Sequence, residues 1–214
     1  AFERFYAEEF PELRKLTDDV PPFPGAEAHL MVETSLGKPM PELFRRFDDV
    51  PVAAGSIGQV HEAELPDGAK VVVKVKRPGI DEIIHADLEL MEMIAVPLLE
   101  MIEELRPLQP RAAGREFRRG ILRELDFVTE ASATEKIGAD LEDFENLVIP
   151  DVHWSHTNSN ILTLKRLTGT RLSDPDAIAA LTVDTREAAD TLAHAFFTQF
   201  FKTGLFHADP HAGN

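Results

Sequence analysis

The stretch from Gly58 to Arg77, GQVHEAELPDGAKVVVKVKR, decides the fold. GQVHEAEL and AKVVVKVKR read as two strands, and Pro66, Asp67 and Gly68 between them have the chemistry of a tight turn. The pattern predicts an antiparallel hairpin. In its second strand Lys74 shares a face with Val72 and Lys76, while Val71, Val73 and Val75 take the other. Edge strands often carry lysine against aggregation, so a solvated charge is the plain alternative for either lysine. The hairpin is entered through Ala53, Ala54, Gly55 and Ser56, all small, then Ile57 and Gly58. Such small residues let backbone approach a ligand closely and present N–H groups to phosphate, although a tight strand-to-strand turn would use them too.

Outward from the hairpin the periodicity changes to that of helices. Ile84, Leu88, Met91, Ala95, Leu98 and Ile102 recur at steps of three and four, predicting one long helix over about Ile83 to Leu105. A second helical stretch is read from about Ala112 to Asp140. On it Phe117, Ile121 and Val128 form an apolar stripe into which Glu124 falls, and a carboxylate there needs a cationic partner or a metal. Lys74 is the candidate. Asp126 and Glu130 lie four apart on another face near Arg119 and Arg123, where a surface salt-bridge ladder is the plain reading. NLVIP and NILTLKRL read as short β segments, and a last helix starts at an Asp184 cap and stops at Gly204. Before the hairpin, ERFYAEEFPELRKLTDD reads as a helix stopped by the prolines of VPPFP, with two further short helices after it.

Composition narrows the function. The chain has 214 residues, 43% of them hydrophobic, and no cysteine, which removes disulfide scaffolds, thiolate metal sites and cysteine nucleophiles. Its formal charge of −16 argues against nucleic acid as a partner, because neutralising phosphates takes a basic surface. No apolar run is long enough to span a bilayer. At the end stands GLFHADPHAGN, Gly204 to Asn214. His207, Asp209 and His211 have the residue types of a metal-dependent hydrolase site. The same stretch has an Asp followed five residues later by an Asn, the spacing of a phosphoryl-transfer loop. The metal reading leaves Lys74, Glu124 and the small-residue loop without a role, and Pro210 restricts the convergence of its ligands.

Six stretches in order, LTDDVPPFP, AAGSIGQVH, VVVKVKRPG, ELDFVTEA, LTGTRL and GLFHADPHAGN, make the chain resemble the AarF/UbiB family of atypical kinase-like proteins. The resemblance runs over most of the chain. It implies an α+β, protein-kinase-like two-lobed fold: a small antiparallel sheet lobe with inserted helices, then the start of a helical lobe. Residues 1–168 would form N-terminal extension helices and the nucleotide-binding lobe, and 169–214 the beginning of the helical lobe, ending in the catalytic loop. The cofactors implied are ATP or ADP with Mg²⁺, and the pathway is that of isoprenoid quinones and lipids. Residue by residue, Ala53 to Gly58 would be the alanine-rich nucleotide loop and Lys74 the strand lysine on the phosphates. Glu124 and Asp126 match the family's E-x-D pair, and Glu130 a further acid that the family favours as the partner of Lys74. Asp209 would be the catalytic-loop aspartate, His207 its structural neighbour and Asn214 a magnesium ligand. Implied partners are adenine nucleotide and a lipid- or quinone-pathway protein complex. The implied location is cytoplasmic, with the longer protein peripheral to a membrane. Gly55 stands where the family usually has alanine, Ala212 where it has proline, and Lys165 where it often has an acid. The family's K-x-G-Q helix and D-F-G-type aspartate are not in the sequence, so the chain reads as a fragment, inactive alone, of a longer protein. A nucleotide-responsive module without catalysis is the alternative.

Overall fold

In the computed structural model residues 20–170, 174–181 and 184–206 are described. The segment read as the first helix and the stretch from His207 to Asn214 lie outside them.

The hairpin forms as its sequence requires. Strand β3 (Gly58–Glu64) and strand β4 (Lys70–Lys76) pair in antiparallel register, Gly58 opposite Lys76 and Glu64 opposite Lys70. The turn between them is closed by Gly68 N–H donating to Leu65 O and Leu65 N–H to Ala69 O. Gly68 takes φ 90°, which a side chain would resist. Two short strands, β1 (Arg46–Phe47) and β2 (Ala53–Ala54), pair with opposite ends of β3. Strand β5 (Ile161–Lys165), from the predicted NILTLKRL segment, pairs with β4. The order is β1-β3-β4-β5, with β2 beside β3.

Both faces of this sheet are covered. On one, Val71, Val73, Val75 and Ile161 are fully buried under helix α1 (Gly25–Leu36) through Ala28 and Val32, and under helix α2 (Met40–Leu43) and Phe44. On the other, Leu162 is buried against Phe127 and Ala131 of helix α6 (Phe127–Asp140). The alternation of β4 thus sends valines to one core and lysines to the face that meets α6.

Between β4 and β5 runs a helical arm whose details differ from the periodicity. The predicted long helix is a continuous rod of helix α3 (Ile80–Leu90), a π-helical turn (Met91–Ala95) and helix α4 (Val96–Met101), followed by a 3₁₀ segment (Glu103–Leu108). Pro97 cannot donate to a carbonyl one turn back, and the wide turn just before it accommodates that missing donor. The wide turn also shifts the phase. Leu88 is buried as predicted, but beyond the shift Val96 is buried, while Leu98 and Ile102 are exposed.

The second predicted helix is two helices. Helix α5 (Pro110–Glu124) stops at Leu125, and Asp126, in extended conformation, caps α6 by accepting from Val128 N–H at 3.0 Å. Helix α7 (Pro175–Ala179) and helix α8 (Thr185–Thr198) follow β5, and the latter carries the predicted Asp184 cap. Phe197, Phe200 and Phe201 at its end are exposed, and Phe200 stacks on Phe206.

Candidate functional site

The face of the sheet that meets α6 carries Val60, Lys74 and Leu162 in register across three strands. Because Asp126 starts α6 afresh, Phe127 and Ala131 turn down onto Leu162, and Glu130, one residue before Ala131, sits at the rim of that contact. From β4 the side chain of Lys74 reaches over the Phe127 ring, its Nζ 4.7 Å from the centroid, and donates to Glu130 Oε2 at 2.6 Å. Both partners keep contact with solvent, at 32% and 42% exposure. An ion pair so exposed adds little stability, about 1 kcal/mol or less. Its consequence is positional: the ammonium is held in one place over the Phe127 ring.

Glu124 is not that partner. It is exposed at the last turn of α5, and Phe117 and Val128 of its supposed stripe are exposed as well. The stripe assumed one helical phase through residue 128, and the break at Leu125 and Asp126 removes it. The residues buried across the break are Leu125, Phe127 and Ala131. Asp126, read as one end of a ladder with Arg119, spends one carboxylate oxygen on the α6 cap, and Arg119 pairs with Glu116 instead.

Lys76 departs from the solvated-charge alternative in another way. It is only 4% exposed, and its Nζ meets Asp81 at 3.2 and 3.4 Å from beside the Phe127 ring. A cavity of about 360 Å³ opens there, lined by Lys76, Asp81, His85 and Asp126 among others. At the far end of β5, Lys165 pairs on the surface with Asp151 at 3.1 Å.

The small-residue loop lies beside the pair. Ala53 and Ala54 pair with Val60 and Gln59, and Gly55 N–H donates to Gly58 O at 2.8 Å, folding the loop back on itself. Gly58 is obligatory, since a Cβ there would stand 2.5 Å from Val75 O. At Gly55 a Cβ would meet only Gly58 O, at 3.8 Å, so the position has room for the alanine common in the resembled family. The Ile57 side chain packs on the Phe127 and Leu162 cluster, which ties the loop to the surface that carries Lys74.

Three residues at this site escaped the sequence reading. Gln59 and His61 are fully buried polar side chains, and Arg77 reaches back to the loop. Gln59 accepts from Phe23 N–H at 3.0 Å and donates to Phe23 O at 3.1 Å. Its amide also lies 2.9 Å from His61 Nε2, and His61 Nδ1 lies 2.7 Å from Asp48 O. The carbonyl can only accept, so Nδ1 carries the proton and Nε2 accepts from Gln59. Burial holds the His61 pKa below the ordinary histidine value, against the opposing pull of the Asp48 carbonyl. The signal was present in the alternation: Gln59, His61 and Ala63 share the face of β3 that the valines of β4 also occupy.

An antiparallel sheet whose strand lysine meets a helix glutamate, behind a small-residue loop, defines a kinase-like lobe of α+β class. Residues 15–214 match the model of the ABC1 atypical kinase-like domain, and the chain belongs to that family. It is 39% identical over 202 residues to a probable protein kinase UbiB of Marinobacter nauticus, covering 94% of this chain and 37% of that protein. A probable protein kinase UbiB of Aeromonas salmonicida is 37% identical over 204 residues, covering 95% of this chain and 37% of that protein. Among solved structures, the complex of Rv3197 with erythromycin from Mycobacterium tuberculosis superposes with a TM-score of 0.72 at 30% identity. That match covers all of this chain and 51% of the other. The chain therefore spans little more than a third of the length of these curated relatives.

Proposed function

We propose that the protein is an atypical kinase or ATPase that binds ATP with magnesium and transfers or hydrolyses the γ-phosphate, in support of isoprenoid-quinone or lipid metabolism. The observation that carries this reading is the Lys74–Glu130 contact of 2.6 Å beside the loop Ala53–Gly58. The glutamate fixes the ammonium beside the loop, where the lysine would meet phosphate oxygens as a point charge. Among the described residues, the N–H groups of Ser56 and Ile57 have no acceptor, so the loop has donors to offer an anion. In this reading Asp209 orients the attacking hydroxyl or water, and Asn214 holds magnesium, which when bound neutralises charge on the phosphates. Catalysis by such a site is mainly positioning and charge neutralisation. The names of the UbiB relatives, probable protein kinases, support the kinase reading.

The test is a titration of the full-length protein with Mg-ATP, with phosphate release followed in parallel. Lys74→Ala should weaken binding. Asp209→Asn should still bind but lose about 10² to 10⁴-fold in turnover. Undiminished turnover by Asp209→Asn would remove it from the chemistry, and binding without turnover by the wild type would favour the non-catalytic module. Tight stoichiometric zinc in the purified protein would instead favour the hydrolase site of His207, Asp209 and His211.

A further inference from the structure

We propose that Arg77 is a positioning residue that sets the small-residue loop to receive an anion and couples its order to the segment Pro21–Phe23. One guanidinium serves both. Its Nε donates to Ser56 O at 3.3 Å, and one terminal nitrogen donates both to Gly55 O and to Pro21 O, each at 3.1 Å. The backbone joins in, with Arg77 N–H on Ile57 O at 2.7 Å.

Peptide planarity turns this capture into a statement about donors. The described backbone contains no cis peptide, so each N–H points opposite to the carbonyl before it. With the Gly55 and Ser56 carbonyls drawn to the guanidinium, the N–H groups of Ser56 and Ile57 point the other way. Both amides lack an acceptor among the described residues. Two consecutive amides facing the same way make a concavity for an anion, and an arginine behind them keeps either peptide from flipping. A lysine would not reproduce the planar fork that serves three carbonyls at once.

The same side chain ties the loop to the proline-rich segment. Phe23 is buried, its ring lies 5.4 Å from the guanidinium, and Gln59 clamps its N–H and carbonyl together. Pro21 O and Gly55 O share one nitrogen, so displacing the segment removes part of what aligns the guanidinium on the loop. Loop and segment order as a unit.

That the anion is a nucleotide phosphate rests on the proposed function, and the experiment separates the two. In ¹⁵N-glycine-labelled protein without nucleotide, relaxation at Gly55 and Gly58 reports loop order, and a Mg-ATP titration reports its use. Wild type should show order parameters near 0.85, falling below about 0.6 at Gly55 in Arg77→Lys. Phe23→Ala should lower the value at Gly55 in the same direction. Arg111→Ala, which breaks an exposed pair with Glu100 in the helical arm, should leave it unchanged. Mg-ATP affinity should drop about tenfold in Arg77→Lys, as expected when a preorganised pair of donors is lost. Unchanged order at Gly55 in Arg77→Lys would overturn the proposal, and so would a disordered loop with undiminished affinity. An ordered wild-type loop, loosened in both variants, in a protein that binds no Mg-ATP would sustain the role of Arg77 and overturn the nucleotide reading.

Discussion

The sheet and the helical arm between β4 and β5 solve the burial problem in different ways. In the sheet, β4 is covered on both sides, and Val71, Val73, Val75, Ile161 and Leu162 are at most 1% exposed. In the arm, the π turn and α4 pack on α5 around an apolar cavity of about 300 Å³, lined by Met91, Val96, Leu99 and Phe117 among others. Leu90, Met93, Leu98, Met101 and Ile102 remain exposed around that contact. Residues in the sheet are thus held by neighbours on every side, whereas those in the arm have open space on one. Lys74 belongs to the rigid part, and Glu130 reaches it from α6, one of the helices that cover the sheet.

The sharpest way to break this contrast is to add one methyl group to each region. Gly58→Ala drives a Cβ to 2.5 Å from Val75 O, and the nearest atoms are all backbone of β4, with no flexible side chain to yield. The expected loss is about 3 kcal/mol, at the upper end of the usual cost of overpacking, read from denaturant unfolding. A loss below about 1 kcal/mol would mean that β3 and β4 can separate, and that the sheet is not the rigid part.

The second prediction uses acid. Burial lowers the pKa of His61, and of His156 as well, where the Leu43 carbonyl opposes the shift. Both histidines belong to the sheet region: Phe47 stacks on His61, and Phe44 packs on His156. A histidine whose folded pKa lies below its unfolded value binds more protons when unfolded. Stability is therefore complete above about pH 6.5 and is lost as pH falls from there towards the folded pKa values. Protonated His61 would also set an Nε2–H against the Gln59 amide. His61→Gln should lower stability at neutral pH but flatten its decline between about pH 6.5 and 5, measured by thermal unfolding across pH. An equally steep decline in the variant would assign the acid sensitivity elsewhere.

How much of this was legible in the sequence follows the same division. The hairpin, its turn and the valine face could be read, because alternation and turn chemistry are local. The order of motifs pointed to the family, and with it to Glu130 as the lysine's partner. The apolar stripe pointed to Glu124, since periodicity alone does not mark where a helix restarts. The restart is set by the Asp126 cap, a short-range competitor of helix continuation that reads equally well as a mid-helix acid. Pro97 similarly shifts the stripe of the arm by its missing donor. Arg77 escaped because its acceptors are main-chain carbonyls of Pro21, Gly55 and Ser56, and a carbonyl carries no residue-type signal. His207, Asp209, His211 and Asn214 lie outside the described residues, and their roles stay where the motif put them.

The smallest expected effect tests the arm. Gly120 lies inside α5, with helical neighbours on both sides and nothing within 4 Å of where a Cβ would stand. Glycine inside a helix costs about 0.5–1 kcal/mol relative to alanine, mostly through the freedom it has in the unfolded chain. Gly120→Ala should therefore raise stability by about that amount, a gain of a few degrees in Tm. Gly114, on the same helix, is the internal control, because a Cβ there would stand 3.0 Å from Val96 Cγ2 in the packed seam. Gly114→Ala should gain less or lose stability as Val96 gives way. If Gly120→Ala is neutral or destabilising in the full-length protein while stabilising in the 214-residue chain, something covers that face of α5 in the longer protein. The openness of the arm would then belong to this part of the molecule alone, whereas equal gains in both would make it a property of the domain.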